Sequence, residues 1–403
     1  MIEDIKLAEI IGLKRKCGYW EVNNKYFFDK FECLRYASSI KNYDVQFHFY
    51  DCVYGQLNWN KEPTETLDEM YKDRALQLRD EHDYLILLFS GGSDCNNILR
   101  TFIDNNIKLD EVYCEYPIET LEKLKPHFNS NTKNPEFLNF EWFTAAEPLL
   151  KKLAISNPEI KITVESDITK IIKIIDSSEL YTLKRGGSIN PIVRYSNLYK
   201  LAEQRTKHGT IVCINGADKP NVLYNTLTKQ FSNLYTDIVA NNTEFLPGKF
   251  SEHQISLENF YLTYKYPKLN QKMAFAVKNK IKEIIEQEDV IYNSLLWNRE
   301  SKDFTNRNNH IHTFNTHTTL LKKVLYKTYD ETLWQAGKFA NFTNFNWRAC
   351  QWFYDKDITS DRTREFYDKQ ISELLYGIDN YFLSYENGKP SKLKIFYTNP
   401  IHF

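Results

Sequence analysis

The residues best suited to chemistry in this chain are five in a row, Ser90-Gly91-Gly92-Ser93-Asp94. Two glycines remove side chains, so backbone N–H groups can come close to an anion. Two serines add hydroxyl donors. Asp94 adds a carboxylate, which beside a phosphate is repelled unless a cation intervenes; its natural role there is to hold Mg²⁺ that bridges phosphate oxygens. The plain alternative is a sharp turn of small residues whose aspartate caps a helix. A second group of this kind is Asn215-Gly216-Ala217-Asp218-Lys219. It adds a further carboxylate, Asp218, and a cation, Lys219. Read by itself, this group is also a plain turn.

The surrounding pattern places both groups at strand ends. Tyr84–Phe89 is a continuous apolar run, as expected of a strand covered on both faces, and Asp94–Asn105 has the apolar spacing of a helix. Glu111–Glu115, then Ile160, Ile162 and Val164, then Thr210–Ile214 read as further strands, with helices between them. Thr144–Pro148 reads as a capping box opening one helix, and Ser196–His208 as another, closed by Gly209. Strands alternating with helices predict an α/β fold with a doubly wound parallel sheet. In such a sheet ligands bind beyond the carboxyl ends of the strands, where Ser90–Asp94 would lie. The helix that follows adds its positive end.

Upstream, residues 1–80 read as a small α+β unit. A hairpin turns at Asn23-Asn24, Asp29 caps a short helix, Val45–Tyr50 is a strand and Glu62–Asp80 a helix. Residues 81–230 hold the nucleotide-binding pattern. Beyond 230 the strand signals fade. Helices are expected over Ala274–Gln287, His317–Tyr326 and Thr363–Leu383, so residues 231–403 read as mainly helical.

The loop resembles the S-G-G-x-D-S motif of the PP-loop, or N-type, ATP pyrophosphatases, with Cys95 in place of the final serine. Gly216-Ala217-Asp218 and Tyr224 resemble the G-A-D-E-x-F-G-G-Y segment of the asparagine synthetase C-terminal domain. Lys219-Pro220 replaces the glutamate and its neighbour there, and Val222-Leu223 replaces the paired glycines. The resemblance covers residues 80–230. It implies an adenine nucleotide alpha hydrolase-like sheet and two cofactors, ATP and Mg²⁺. The nucleotide would lie on Ser90, Gly91, Gly92, Ser93, Asp94, Cys95, Gly216 and Asp218, with the metal on Asp94 and Asp218. The implied activity is an AMP-forming ligase that adenylates a carboxylate or carbonyl substrate, which an amine or ammonia then attacks. Residue 2 is Ile where full asparagine synthetases carry a nucleophilic cysteine, so no glutaminase of that kind is expected. The common phosphate loop G-x-x-x-x-G-K-[ST] does not occur. Stand-alone relatives occur in tailed phages, and the Asn-, Lys-, Tyr- and Ile-rich composition would suit one.

Other residues invite roles. Lys184-Arg185-Gly186-Gly187-Ser188 is a basic loop that could close over phosphates, making Lys184 and Arg185 catalytic candidates beside Asp94 and Lys219; Arg194 is a similar one. Glu115 ends a strand near the nucleotide loop. His310, His312 and His317 lack the cysteines or acidic residues of a zinc site, and the aromatic run from Trp334 to Phe353 reads as core.

Composition bounds the alternatives. The chain has 403 residues, with 52 basic against 53 acidic, so it does not advertise nucleic-acid or membrane binding. A PP-loop enzyme acting on a tRNA or DNA base is the second reading, and a non-catalytic nucleotide-binding protein the third. The seven scattered cysteines contain no C-x-x-C pair, which argues against a disulfide framework and a cysteine zinc cluster; Cys95 and Cys114 would matter only as a sulfur-transfer pair. With no signal-peptide pattern and no long apolar run, the expected compartment is the cytoplasm, of the host if phage-encoded.

Overall fold

The computed structural model describes residues 18–115, 142–165, 205–216, 219–237, 255–286, 311–314, 319–330, 375–386 and 389–403. The N-terminal unit forms as its local signals require. Strand β1 (Gly18–Val22) turns through Asn23 and Asn24, both at positive φ, into β2 (Lys25–Phe27). Asn tolerates that backbone region better than most residues, and two such positions in sequence suit a two-residue hairpin. Asp29 then accepts hydrogen bonds from the Phe31 and Glu32 amides and opens helix α1 (Lys30–Ser39). Strand β3 (Gln46–Phe49) pairs antiparallel with β1, and a short helix, α2 (Asp51–Tyr54), follows.

A complete capping box at Thr66 and Glu69 starts helix α3 (Leu67–Glu81), later than the Glu62 start that the apolar spacing gave. Then come β4 (Tyr84–Leu88), helix α4 (Ser93–Asp104) and β5 (Glu111–Glu115). The expected capping box at Thr144 does not start its helix. Trp142–Ala146 is already a π-helical turn that runs into α5 (Glu147–Ser156), with no side-chain cap. Strands β6 (Lys161–Glu165) and β7 (Ile211–Asn215) follow. The helix expected over Ser196–His208 falls mostly outside the described residues; its last part, Thr206–His208, is a 3₁₀ turn.

After β7 the chain departs from expectation. Strands β8 (Asn221–Asn225) and β9 (Gln230–Leu234) form an antiparallel hairpin, and β10 (Ile255–Asn259) returns to pair parallel with β7. The parallel sheet therefore draws a strand from beyond residue 230. Helix α6 (Pro267–Glu286), strand β11 (Ile311–Thr313) and helix α7 (Thr319–Leu325) come next. Strands β12 (Leu383–Glu386), β13 (Lys389–Leu393) and β14 (Ile401–His402) end the chain. The described residues after 230 thus mix strand with helix rather than being mainly helical. The helix expected to reach Leu383 gives way to a 3₁₀ turn at Asn380–Phe382 capped by Asp379, which breaks into β12.

The five-stranded sheet runs β10-β7-β4-β5-β6, all neighbours parallel. This is an α/β fold. The chain moves from β4 outward to β5 and β6, then returns to the other side of β4 for β7 and β10. The order reverses between β4 and β7. A second sheet, β11-β8-β9-β14, gathers segments from residues 221 to 402. No helix among the described residues is long and apolar enough to cross a membrane.

The N-terminal sheet is tied to the chain's end by a fully buried ion pair. Lys30 Nζ lies 2.6 Å from Asp237 Oδ2 and donates to the Lys394 carbonyl at 2.6 Å, while Trp20 Nε1 donates to the same carboxylate at 3.2 Å. Burial pulls the Lys30 pKa down, and Asp237 opposes that. Removing one partner leaves a buried charge unmatched. Asp237→Ala should therefore cost about 3–5 kcal/mol of folding stability, measured by denaturant unfolding. A loss under about 1 kcal/mol would show the pair to be dispensable.

Candidate functional site

Strand β4 is apolar and buried throughout, which fixes the start of the Ser90–Asp94 loop at the carboxyl edge of the sheet. Gly91 sits at φ +80°, and a Cβ there would lie 2.6 Å from the Ala146 Cβ. Glycine is required twice over, by backbone conformation and by the close approach of the Trp142–Ala146 turn. Gly92 is the N-cap of α4, and no side chain caps that helix end. Its positive end accordingly faces the loop without a protein carboxylate set on it as a cap. The Ser90 hydroxyl accepts from the Gly92 amide at 3.3 Å and lies 3.5 Å from Cys95 Sγ. Ser93 and Cys95 are buried and Ser90 is exposed.

The second loop arrives from β7. Gly216 is buried, and a Cβ on it would come within 3.2 Å of Cys95 Sγ and Ile98 Cδ1. The second loop is therefore packed against the first turns of α4. Ala217 and Asp218 lie outside the described residues, as do Lys184, Arg185, Arg194, His310, His317 and the aromatic run 334–353; of Glu115 and His312 only the strand backbone is described. Tyr224 is buried on β8, its ring centroid 4.7 Å from that of Phe231, so its segment is strand and core.

Asp94 is the centre of the site. Lys219 Nζ donates to its Oδ2 at 2.7 Å, and Lys322 Nζ, from α7, donates to its Oδ1. Both lysine side chains are about 95% buried (4% and 5% exposed), whereas Asp94 keeps 21%. Burial by itself would raise the Asp94 pKa, but the two ammonium groups outweigh it and hold the carboxyl far below the usual range. The Asp94 carbonyl accepts from the Tyr261 hydroxyl at 2.8 Å, and Asn97 donates to that hydroxyl at 3.2 Å. Tyr326 is buried beside them with its ring centroid 5.1 Å from Lys322 Nζ. Its hydroxyl faces the Asp94 carboxylate without a well-formed hydrogen bond.

Both oxygens of Asp94 accept from ammonium groups, so a metal ion on them would compete with Lys219 and Lys322. Lys322 was missed altogether, although one signal pointed to it. It shares the buried side of α7 with Leu321, Leu325 and Tyr326, and a lysine on an apolar helical stripe needs a partner.

One other cluster among the described residues has metal-ligand chemistry: Glu81, His82 and Glu258, whose ligand atoms lie within 4.8 Å of one another. Glu258 is already matched by Arg74 at 2.8 Å and Lys265 at 2.5 Å, and Lys265 also reaches Glu81 at 2.6 Å. A metal ion there would have to displace two cationic side chains, so the cluster is an ion-pair network joining α3 to β10.

Burial lowers the Lys322 pKa to about 7, with Lys219 adding to the effect and Asp94 opposing it. The folded state therefore binds this proton less well than the unfolded chain between pH 7 and the ordinary lysine range. Stability should rise with pH across that window, since the unfolded state holds the extra proton there. Lys322→Met should flatten the rise between pH 7 and 9.5 in paired denaturant titrations; an unchanged slope would place the titration elsewhere. No family model, no curated protein and no solved structure matches the chain.

Proposed function

We propose that the protein is an ATP-dependent, AMP-forming enzyme that adenylates a carboxylate or carbonyl substrate for attack by an amine or ammonia. The observation that carries this reading is a pair of buried lysines converging on Asp94 at the first turn of α4. They stand where the strand order of a parallel sheet reverses. On this reading the sheet is doubly wound and of the adenine nucleotide alpha hydrolase kind, and Ser90–Asp94 is a PP-loop.

The chemistry follows from charge. With Lys322 protonated, two ammonium groups and one carboxylate among the described residues leave an excess of one positive charge at the glycine loop, with the positive end of α4 beside it. That is suited to the β and γ phosphates of ATP. A substrate oxygen attacks the α-phosphorus, the bond from that phosphorus to the α–β bridging oxygen breaks, and pyrophosphate leaves. Charge builds on the leaving group, where Lys219 and Lys322 stabilise it more in the transition state than in the ground state. Gly91 and Gly216 let the protein pack closely behind the loop, Gly91 against Ala146 and Gly216 against Cys95 and Ile98. Mg²⁺ is not assigned to Asp94, whose oxygens are occupied, and Asp218 lies outside the described residues.

Given a substrate, the nucleotide products should be AMP and pyrophosphate, read by ion-exchange chromatography. ADP and phosphate as the main products would contradict the reading even with ATP bound. Lys219→Ala should lower kcat by about 10²-fold or more while the thermal melt stays cooperative. Turnover kept within about threefold would remove Lys219 from the machinery.

A further inference from the structure

Two buried ammonium groups on one carboxylate make an unbalanced cluster. Each ammonium has three N–H donors, and among the described residues each has one hydrogen-bond partner, Asp94. A surplus buried charge is costly unless something of opposite sign meets it. The Tyr326 hydroxyl, on a residue 1% exposed, adds a donor facing the same carboxylate that makes no well-formed hydrogen bond. The nearest helix end, that of α4, has no side-chain cap. Among the described residues donors exceed acceptors here, and the missing partner has the chemistry of an anion rather than a cation.

We propose that Asp94 is a positioning residue for the Lys219–Lys322 pair, and that this pair binds a diphosphate-type polyanion directly, with no metal ion held by Asp94. Identifying the anion as the β,γ-diphosphate of a nucleotide rests on the function proposed above; the metal-free anion site rests on geometry alone. Asp94 fixes two lysines that come from β7's loop and from α7, 103 positions apart in sequence (322 − 219). It holds them close together despite their mutual repulsion. A magnesium ion on the same oxygens would compete with both.

The test is calorimetric titration of the full chain with inorganic diphosphate, first in EDTA and then in excess Mg²⁺. The wild type should bind in EDTA. Lys219→Gln and Lys322→Gln should each weaken that binding about tenfold or more, the loss of one charge-assisted contact. Asp94→Asn should weaken it as well, because the lysines lose the charge that gathers them. Asp94→Glu should recover part of the loss. A residue acting only as a metal ligand would not change affinity measured in EDTA. Binding that appears only with Mg²⁺, or binding in EDTA indifferent to both lysine substitutions, would overturn the proposal. The EDTA comparison needs the wild type alone, so a variant that fails to fold does not block it. Failure in EDTA with ATP bound in Mg²⁺ would defeat this inference and leave the proposed function standing. Absence of ATP binding in either condition would defeat that function.

Discussion

The site depends on one interaction, the carboxylate of Asp94 held between two ammonium groups. Asp94 belongs to the first turn of α4, Lys219 to the loop after β7, and Lys322 to α7. These elements lie far apart in sequence and are brought near one another by the β4–β7 and β8–β11 pairings. Without the carboxylate, two like charges would be buried side by side; without the lysines, the carboxylate would sit at the sheet edge unpaired. Around this centre Tyr261, Tyr326, Tyr71 and Asn97 pack as a polar-aromatic shell. The Tyr71–Tyr261 ring centroids lie 5.7 Å apart and those of Tyr261–Tyr326 5.6 Å. The Tyr71 hydroxyl donates to the Leu325 carbonyl at 2.9 Å, fixing the end of α7 and thereby the helix that carries Lys322.

The same charge logic separates this cluster from the other ion-pair networks. Around Glu258, acids and bases roughly balance, with Glu81 and Glu258 against Arg74 and Lys265, and the network ties α3 to β10. Around Asp237 one lysine meets one carboxylate and joins the N-terminal sheet to the C-terminal strands. Among these three, only at Asp94 do the lysines and arginines outnumber the carboxylates, and both of its lysines are buried. The imbalance coincides with the reversal of strand order between β4 and β7.

Much of this was legible in the sequence. The apolar run at 84–89, two glycines and the amphipathic helix after them define a strand, turn and helix by local rules, and the structure keeps that order. The hairpin at Asn23-Asn24 and the Asp29 cap are equally local. What escaped depends on distant partners. Strand β10 reads Ile-Ser-Leu-Glu-Asn, too polar for a buried strand until Arg74, 184 positions away, matches Glu258. The β8–β9 hairpin carries Asn and Ser inside its strands, and its sheet is completed by residues near 311 and 401. Lys322 and Lys323 are adjacent and chemically alike; packing of α7 against α6 buries the first and exposes the second.

The claim that matters most is that the lysine pair at Asp94 receives the phosphates of a nucleotide. The most direct measurement is a crystal structure of the protein with a non-hydrolysable ATP analogue. The account predicts β- and γ-phosphate oxygens within hydrogen-bond distance of Lys219 Nζ and Lys322 Nζ, over the Gly91–Ser93 turn. A nucleotide bound elsewhere, or phosphates held by a metal ion on Asp94 with both lysines turned away, would contradict it.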